Sequence, residues 1–397
     1  MASVPAQADV VVIGAGQEGL SVSYYLQRLG VRSGVDQVVL DRGPGPGGAW
    51  QHRWEALRLG SAHRVHDLPS MRRAGITFET ADRGRPAREV VSEYYGHYER
   101  FFGLDVRRPV AVAAVYDKGT DLVVRTTAGE IGCRVVVNAT GTWGAPFLPY
   151  YPGMREFAGR QVHTSSYRDA ADFAGLRVLV VGGGTSAIGF LLELEGVAAK
   201  TWWATRRPVE YLEQGSLDLE AAVAAVDQQD DAARAGRALP SIVSGTGVPR
   251  TRRIASAIER GVLAPRPMFD HLEREAVVWP DGSREQIDAI VWATGFRPVI
   301  RHLSPLRLHE KAGGVQVTSG AAERDPRIFF AGYGPTASTI GANRAGRTLA
   351  RQVFAALGGP TLPPEAAPAP PAVLQRPVEP DAQDHVAQLM ARFFTDA

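Results

Sequence analysis

The chain has 397 residues, 45% of them hydrophobic and 22% charged, with a formal net charge of +2. That apolar content excludes a disordered polymer, and the balanced, scattered charge excludes an extended nucleic-acid groove or an anionic membrane surface, which leaves small molecules as the expected partners. The single cysteine, Cys133, excludes a disulfide framework and a dithiol centre within one chain, and fits a reducing cytoplasm.

Asp9 to Ile13 reads as a buried strand of β-branched residues, preceded by nothing that resembles a signal peptide. Apolar residues at helical spacing follow from Glu18 until Gly30 stops the pattern, and "QVVLDRG" supplies the next strand of a strand–helix–strand unit. The "GPGPGGAW" segment ending at Trp50 is too rich in glycine and proline for regular structure. A helix is expected over Arg85 to Phe102, then a small β-meander with turns at "DKGT" and "TAGE". "LRVLVVGGG" opens a second strand–helix–strand unit whose next strand is "AKTWWATRRP". Residues 213–249 are acidic, alanine-rich and then loop-like, and read as an insertion that covers a site. "AVVWPDGSREQIDAIVWATGF" gives two strands around a Pro-Asp-Gly turn, and residues 327–357 a strand, a glycine-punctuated loop and a helix. The proline-rich end is expected to be extended, with a short helix from Asp384 to Phe394. No apolar run reaches the roughly 18–20 residues that span a bilayer.

Gly14, Gly16 and Gly19 form G-x-G-x-x-G between a strand and a helix, where backbone N–H groups and the helix N-terminus can receive a pyrophosphate. Asp41, at the end of the next strand, can accept hydrogen bonds from the ribose hydroxyls of an adenosine. Gly182, Gly184 and Ala187 repeat the motif in its G-x-G-x-x-A form, with Thr185 and Ser186 opening the helix. The following strand ends in Thr205, Arg206 and Arg207 rather than in an acid, so a ribose 2′-phosphate is expected there and the coenzyme is NADPH rather than NADH. A solvated strand end is the competing reading, because Arg72–Arg73 and Arg252–Arg253 repeat the pair. A second dinucleotide that accepts the hydride is required at the first loop, and FAD has both the ADP half and the isoalloxazine.

Between the loops, Phe157, Gly159, His163 and Tyr167 spell F-x-G-x-x-x-H-x-x-x-Y, and "GGAW" at Gly47–Trp50, "NATG" at Asn138–Gly141 and "WATGF" at Trp292–Phe296 fall in order around it. Together with the late "FFAGYGPTASTIGANRAG", these resemble the flavin-containing monooxygenase family within the flavoproteins that carry two dinucleotide-binding domains. The resemblance implies an α/β chain of two nested Rossmann-like, three-layer domains. A FAD domain over 1–168 and 293–360 would enclose an NADPH domain over 169–292 that contains the 213–249 insertion, followed by a proline-rich tail over 361–397. It adds Arg42, Gly48, Trp50, Val110, Thr140, Gly141, Thr294, Gly295, Gly332 and Ile340 as candidate cofactor contacts, and Trp50, Gly60, His63, His163 and Tyr167 as candidate catalytic positions.

Gly60 stands where the mammalian-like branch has a catalytic asparagine, and Tyr167 where Baeyer–Villiger enzymes have tryptophan, so ester formation from ketones is disfavoured. The spacing of His52, His63 and His66 matches no metal motif. The implied activity is transfer of one oxygen atom of O2 to a small molecule, N- or S-oxygenation first, through a flavin C4a-hydroperoxide in a cytoplasmic homodimer. An NADPH-dependent reductase of a quinone, disulfide or other small acceptor is the alternative, and a non-catalytic redox sensor a third reading that two intact coenzyme loops disfavour.

Overall fold

The computed structural model describes residues 3–62, 65–212, 219–240, 248–336 and 342–360. Strand β1 (Gln7–Ile13) runs through Val10, Val11 and Val12, none of which retains exposed surface. A strand covered on both faces is the requirement of a parallel sheet. It pairs in parallel with β2 (Gln37–Leu40) on one side and with β6 (Gly129–Asn138) on the other. Side chains alternate across the sheet. Val10 and Val12 meet helices α1 (Gln17–Arg28), α2 (Ala87–Phe102) and Ala342–Ala356, while Val11 and Ile13 meet the antiparallel meander of β4 (Val112–Lys118) and β5 (Asp121–Thr126). With β3 (Val106–Arg107) and the strand Asp325–Phe330, the parallel order is Asp325–Phe330, β6, β1, β2, β3.

A second parallel sheet repeats the plan. Its order is β7 (Arg160–His163), Ala289–Trp292, β8 (Arg177–Val181), β9 (Lys200–Thr205) and Pro265–Pro267, all parallel. Val178 and Val180 pack beneath α3 (Thr185–Leu194) and Ala257, and Leu179 and Val181 on the opposite face meet Phe269, Trp279 and Trp292. Each sheet therefore carries helices on one face and a small antiparallel sheet on the other, which is the expected pair of three-layer Rossmann-like units.

The chain leaves the first sheet after β6, builds the second, and returns through Asp325–Phe330 to close the first. Two elements differ from the sequence reading. Strand β7, expected within the first domain because it precedes Tyr167, hydrogen-bonds with Ala289–Trp292 in the second sheet. Within the acidic, alanine-rich part of 213–249, where the sequence reading assigns no element, Leu219–Arg234 forms a helix, and its buried Ala233 joins the apolar cluster of Leu303, Val315 and Tyr333 on the first unit. Residues 361–397, and with them the expected Asp384–Phe394 helix, lie outside the described residues. Among the described residues no helix is long and apolar enough to cross a membrane.

Candidate functional site

Both glycine loops are built by the same hydrogen bonds. Gly14 N–H donates to Leu40 O at 2.7 Å and Ala139 N–H to Ile13 O at 2.8 Å; in the second unit Gly182 N–H donates to Ala204 O at 2.9 Å and Ala293 N–H to Val181 O at 2.8 Å. Gly14 has φ +109°, and a Cβ there would stand 2.3 Å from Ala139 O; Gly182 has φ +134° and the same 2.3 Å conflict with Ala293 O. Only glycine closes such a turn against the neighbouring strand. Gly16 and Gly184, by contrast, face open space at the starts of α1 and α3, where a phosphate can approach the backbone.

An open cleft lies over the first loop. Its walls are Gly16–Glu18, Asp41–Gly43, Gly47–Arg53, Ala139–Trp143 and Ala331–Gly332. The expected contacts Gly16, Asp41, Arg42, Gly48, Trp50, Thr140, Gly141 and Gly332 all line it. Gly14 and Gly19 are not in the lining but pack against each other, a Cβ on Gly19 standing 1.9 Å from Gly14 O, and Val110, fully packed, donates its N–H to Asp41 O at 2.8 Å. Asp41 is held from behind: Arg108 Nε donates to its Oδ2 at 2.7 Å and the Gly43 N–H to its Oδ1 at 3.1 Å. The same guanidinium grips both oxygens of Glu99, at 2.6 and 2.7 Å.

Three lining residues were not legible as such in the sequence. Glu18 lies inside the glycine motif, its Oε2 shut off from solvent without a hydrogen-bond partner, and burial pushes its carboxyl up to about 8. Arg53 has a buried Nε without a partner, and burial brings its guanidinium down to about 10. It lies over the rings of Trp143 and Trp50, 4.5 and 5.6 Å from their centroids. Trp143 continues the aromatic wall, stacking on Phe296 at 4.9 Å, and the Phe296 ring meets His163 edge-on at 5.1 Å.

That wall spans the two crossings between the sheets. The segments after β6 and after Ala289–Trp292 run against each other: Phe147 N–H donates to Gly295 O at 2.9 Å, Arg297 N–H to Ala145 O at 2.8 Å and Val299 N–H to Gly141 O at 2.9 Å. Thr140 Oγ1 donates to Val299 O at 2.6 Å, and Thr294 Oγ1 to Phe147 O. His163 accepts the Ser165 N–H at Nδ1 and donates from Nε2 to Gly295 O at 3.0 Å, which fixes its tautomer; burial lowers its pKa. His163 thus ties the fingerprint segment to the second crossing.

The other expected catalytic positions are dispersed. Tyr167 is in the core of the second unit, among Trp54, Phe173 and Phe190, its hydroxyl donating to Glu193 Oε2 at 3.2 Å. Gly60 abuts Arg83, to whose carbonyl its N–H donates at 2.9 Å, away from the cleft lining. His63 and Ile340 lie outside the described residues. Thr185 and Ser186 begin α3, and Arg206 and Arg207 project exposed just beyond β9, with no acidic partner among the described residues.

The pyridine nucleotide-disulphide oxidoreductase family matches residues 11–226 of the chain. A flavin-containing monooxygenase from Stenotrophomonas maltophilia superposes with a TM-score of 0.74 at 35% identity, covering 88% of this chain and 99% of that one. This chain belongs to that family, as a flavin-containing monooxygenase-like protein. Indole-3-pyruvate monooxygenase YUCCA1 of Oryza sativa subsp. japonica is 30% identical over 318 residues, 72% of this chain and 76% of its own. Senecionine N-oxygenase of Tyria jacobaeae is 27% identical over 215 residues, 48% of this chain and 45% of its own. The flavin-containing monooxygenase-like chain is accordingly a flavin-dependent oxidoreductase of the monooxygenase type that uses FAD and NADPH, with two loops of matching hydrogen-bond design to hold two dinucleotides.

Proposed function

We propose that this protein transfers one oxygen atom of O2 to the nitrogen or sulfur of a small molecule, with FAD held in the cleft over Gly14–Gly19 and NADPH at Gly182–Ser186 and Arg206–Arg207. The observation that carries this reading is Cys133. Within a family named for disulphide chemistry, it is the chain's one cysteine, buried in β6, with burial pushing its thiol up to about 12. A thiol so protonated and alone offers no route for electrons to a disulfide, which favours oxygen or a small acceptor as their destination. The similarity to senecionine N-oxygenase supports nitrogen among the receiving atoms.

The residues fit the two coenzymes. Open backbone at Gly16 and Gly184 receives each diphosphate, Asp41 faces the adenosine ribose, and Arg206 and Arg207 pair with the 2′-phosphate. The chemistry supplied when both are bound is hydride transfer to FAD followed by activation of O2. The chain contributes orientation and exclusion of water: Trp50 and Trp143 wall the cleft, Phe296 stacks on Trp143, and His163 holds the crossing that carries Phe296. A first unit resumed at 293–360 around an inserted second unit that ends at 292 and takes in β7, the role of residues 213–249 as a cover, assembly as a homodimer and residence in the cytoplasm belong to the same proposal.

Holoenzyme supplied with NADPH, O2 and a panel of amines, sulfides and ketones tests it by product analysis. N-oxides or sulfoxides containing one atom from labelled O2 are expected. Release of all electrons as hydrogen peroxide, with rapid turnover of a quinone, overturns it in favour of a reductase.

A further inference from the structure

A carboxylate is a poor neighbour for a phosphate loop, yet Glu18 lies within G-A-G-Q-E-G, in the first turn of α1, and lines the cleft. At a helix N-terminus an ionised acid is ordinarily favourable and finds N–H partners. Here it finds none: Oε2 is buried and unpartnered, while the Cγ of the same side chain lies 3.1 Å from where a Cβ on Gly332 would be. Two segments therefore confine the side chain at the cleft, α1 beneath and Gly332 beside.

The groups around it do not stabilise a negative charge. From α2, Tyr95 faces it with a buried hydroxyl that also has no partner, and Asp67 acts on the same tyrosine. Helix Ala342–Ala356, packed along α1, carries Arg344, Arg347 and Arg351, and the cleft itself carries Asp41, Arg42, His52 and Arg53. None of these acts appreciably on Glu18; burial alone does, and it favours the acid form. A neutral carboxyl differs from a carboxylate in one useful respect, since it has an O–H to donate. A bound diphosphate offers acceptor oxygens, and an oxidised isoalloxazine offers two carbonyl oxygens and two unprotonated ring nitrogens as acceptors against a single N–H donor.

We propose that Glu18 enters the cleft as a neutral carboxyl and donates its proton in a hydrogen bond to an acceptor atom of the bound FAD, so that FAD and this proton are held together and ionisation of Glu18 releases the cofactor. The proposal rests on the assignment of FAD to the first cleft.

The test uses purified holoenzyme and reads the FAD released, as recovered flavin fluorescence, from about pH 6 to about pH 10, with circular dichroism to follow the fold. For the wild type, the FAD dissociation constant is expected to be flat below about pH 8 and to rise up to about tenfold per pH unit above it. Glu18→Gln keeps a donor that cannot ionise, and is expected to hold FAD with the wild-type low-pH affinity at every pH. Glu18→Met keeps bulk without a donor, and is expected to bind roughly threefold to tenfold more weakly, without a pH step. The carboxylic-acid C=O stretch in the infrared at neutral pH should vanish in Glu18→Gln. Parallel pH curves for wild type and Glu18→Gln, or equal affinity in the Gln and Met variants, overturn the proposal. Wild-type protein that binds no FAD at any pH instead overturns the cofactor assignment on which it rests.

Discussion

Arg108 shows how single residues prepare the cleft. Its side chain is 12% exposed and serves Asp41, 10% exposed, and Glu99, 11% exposed, from outside the cleft lining. Removing the cation would leave two carboxylates desolvated beside each other, a situation that costs about 3–5 kcal/mol when one partner of a buried pair is lost. Arg108→Met is therefore expected to lower stability by about 3–5 kcal/mol in urea unfolding. Arg206 and Arg207 are the opposite kind of residue, exposed and without an acidic partner among the described residues, and their truncation should leave the fold alone. Arg206→Ala and Arg207→Ala are expected to weaken NADPH binding by about 1.5–3 kcal/mol, roughly ten- to a hundredfold, with NADH binding unchanged. Equal losses for both coenzymes in an equilibrium titration would exclude a phosphate contact.

At the scale of elements, the 48–54 segment is gripped by the opposite unit. Trp54 Nε1 donates to Glu193 Oε1 at 2.8 Å, its ring packs on Phe190 and Tyr167, and burial raises the Glu193 carboxyl. Trp54→Phe keeps the ring contact and removes the donor, and is expected to cost about 1.5–3 kcal/mol, the range for hydrogen bonds to charged groups, measured by thermal or urea unfolding. The elements that short-range pattern specifies were legible in the sequence: the strand–glycine–helix units need only β-branched runs and the turn residues at Gly14 and Gly182. Elements specified by distant contacts were not. Strand β7 is four residues, too short to show a period, and is a strand because Ala289–Trp292 lies beside it. In helix Leu219–Arg234 the buried apolar residues among those described are Ala232 and Ala233, and its alanine content is the signal the sequence offered. Glu18, Arg53 and Trp143 escaped for a similar reason, because desolvation and ring stacking depend on what the fold places opposite them.

For the whole molecule, buried titrating groups set a stability profile. Glu18, raised from 4.5 to about 8, makes the folded state bind an extra proton over that window, so stability falls as pH rises through it. His302, buried and lowered from 6.5 to about 4, acts with the opposite sign, its contribution lost as pH falls from 6.5. Asp288, brought from 3.8 to about 2 chiefly by the Arg177 side chain, adds a loss below the ordinary carboxylate range. The first two offset between about 4.5 and 6.5, so a plateau is expected there, with decline on both sides. Urea midpoints across pH check it, and Glu18→Gln should remove the alkaline decline. The order in which the chain visits its sheets also has a consequence for synthesis on the ribosome. On its outer edge β6 is covered at Gly129–Cys133 by β5 as soon as it is made, but the strand that covers Val136–Asn138 begins only at Asp325. At translation rates of about 5–20 residues per second, that end of the edge waits on the order of 10–40 s for its partner, while the second sheet is made in between. A nascent chain stalled in this interval would present an open hydrogen-bonding ladder, making the amino-terminal half a natural client for chaperones that shield unpaired strands.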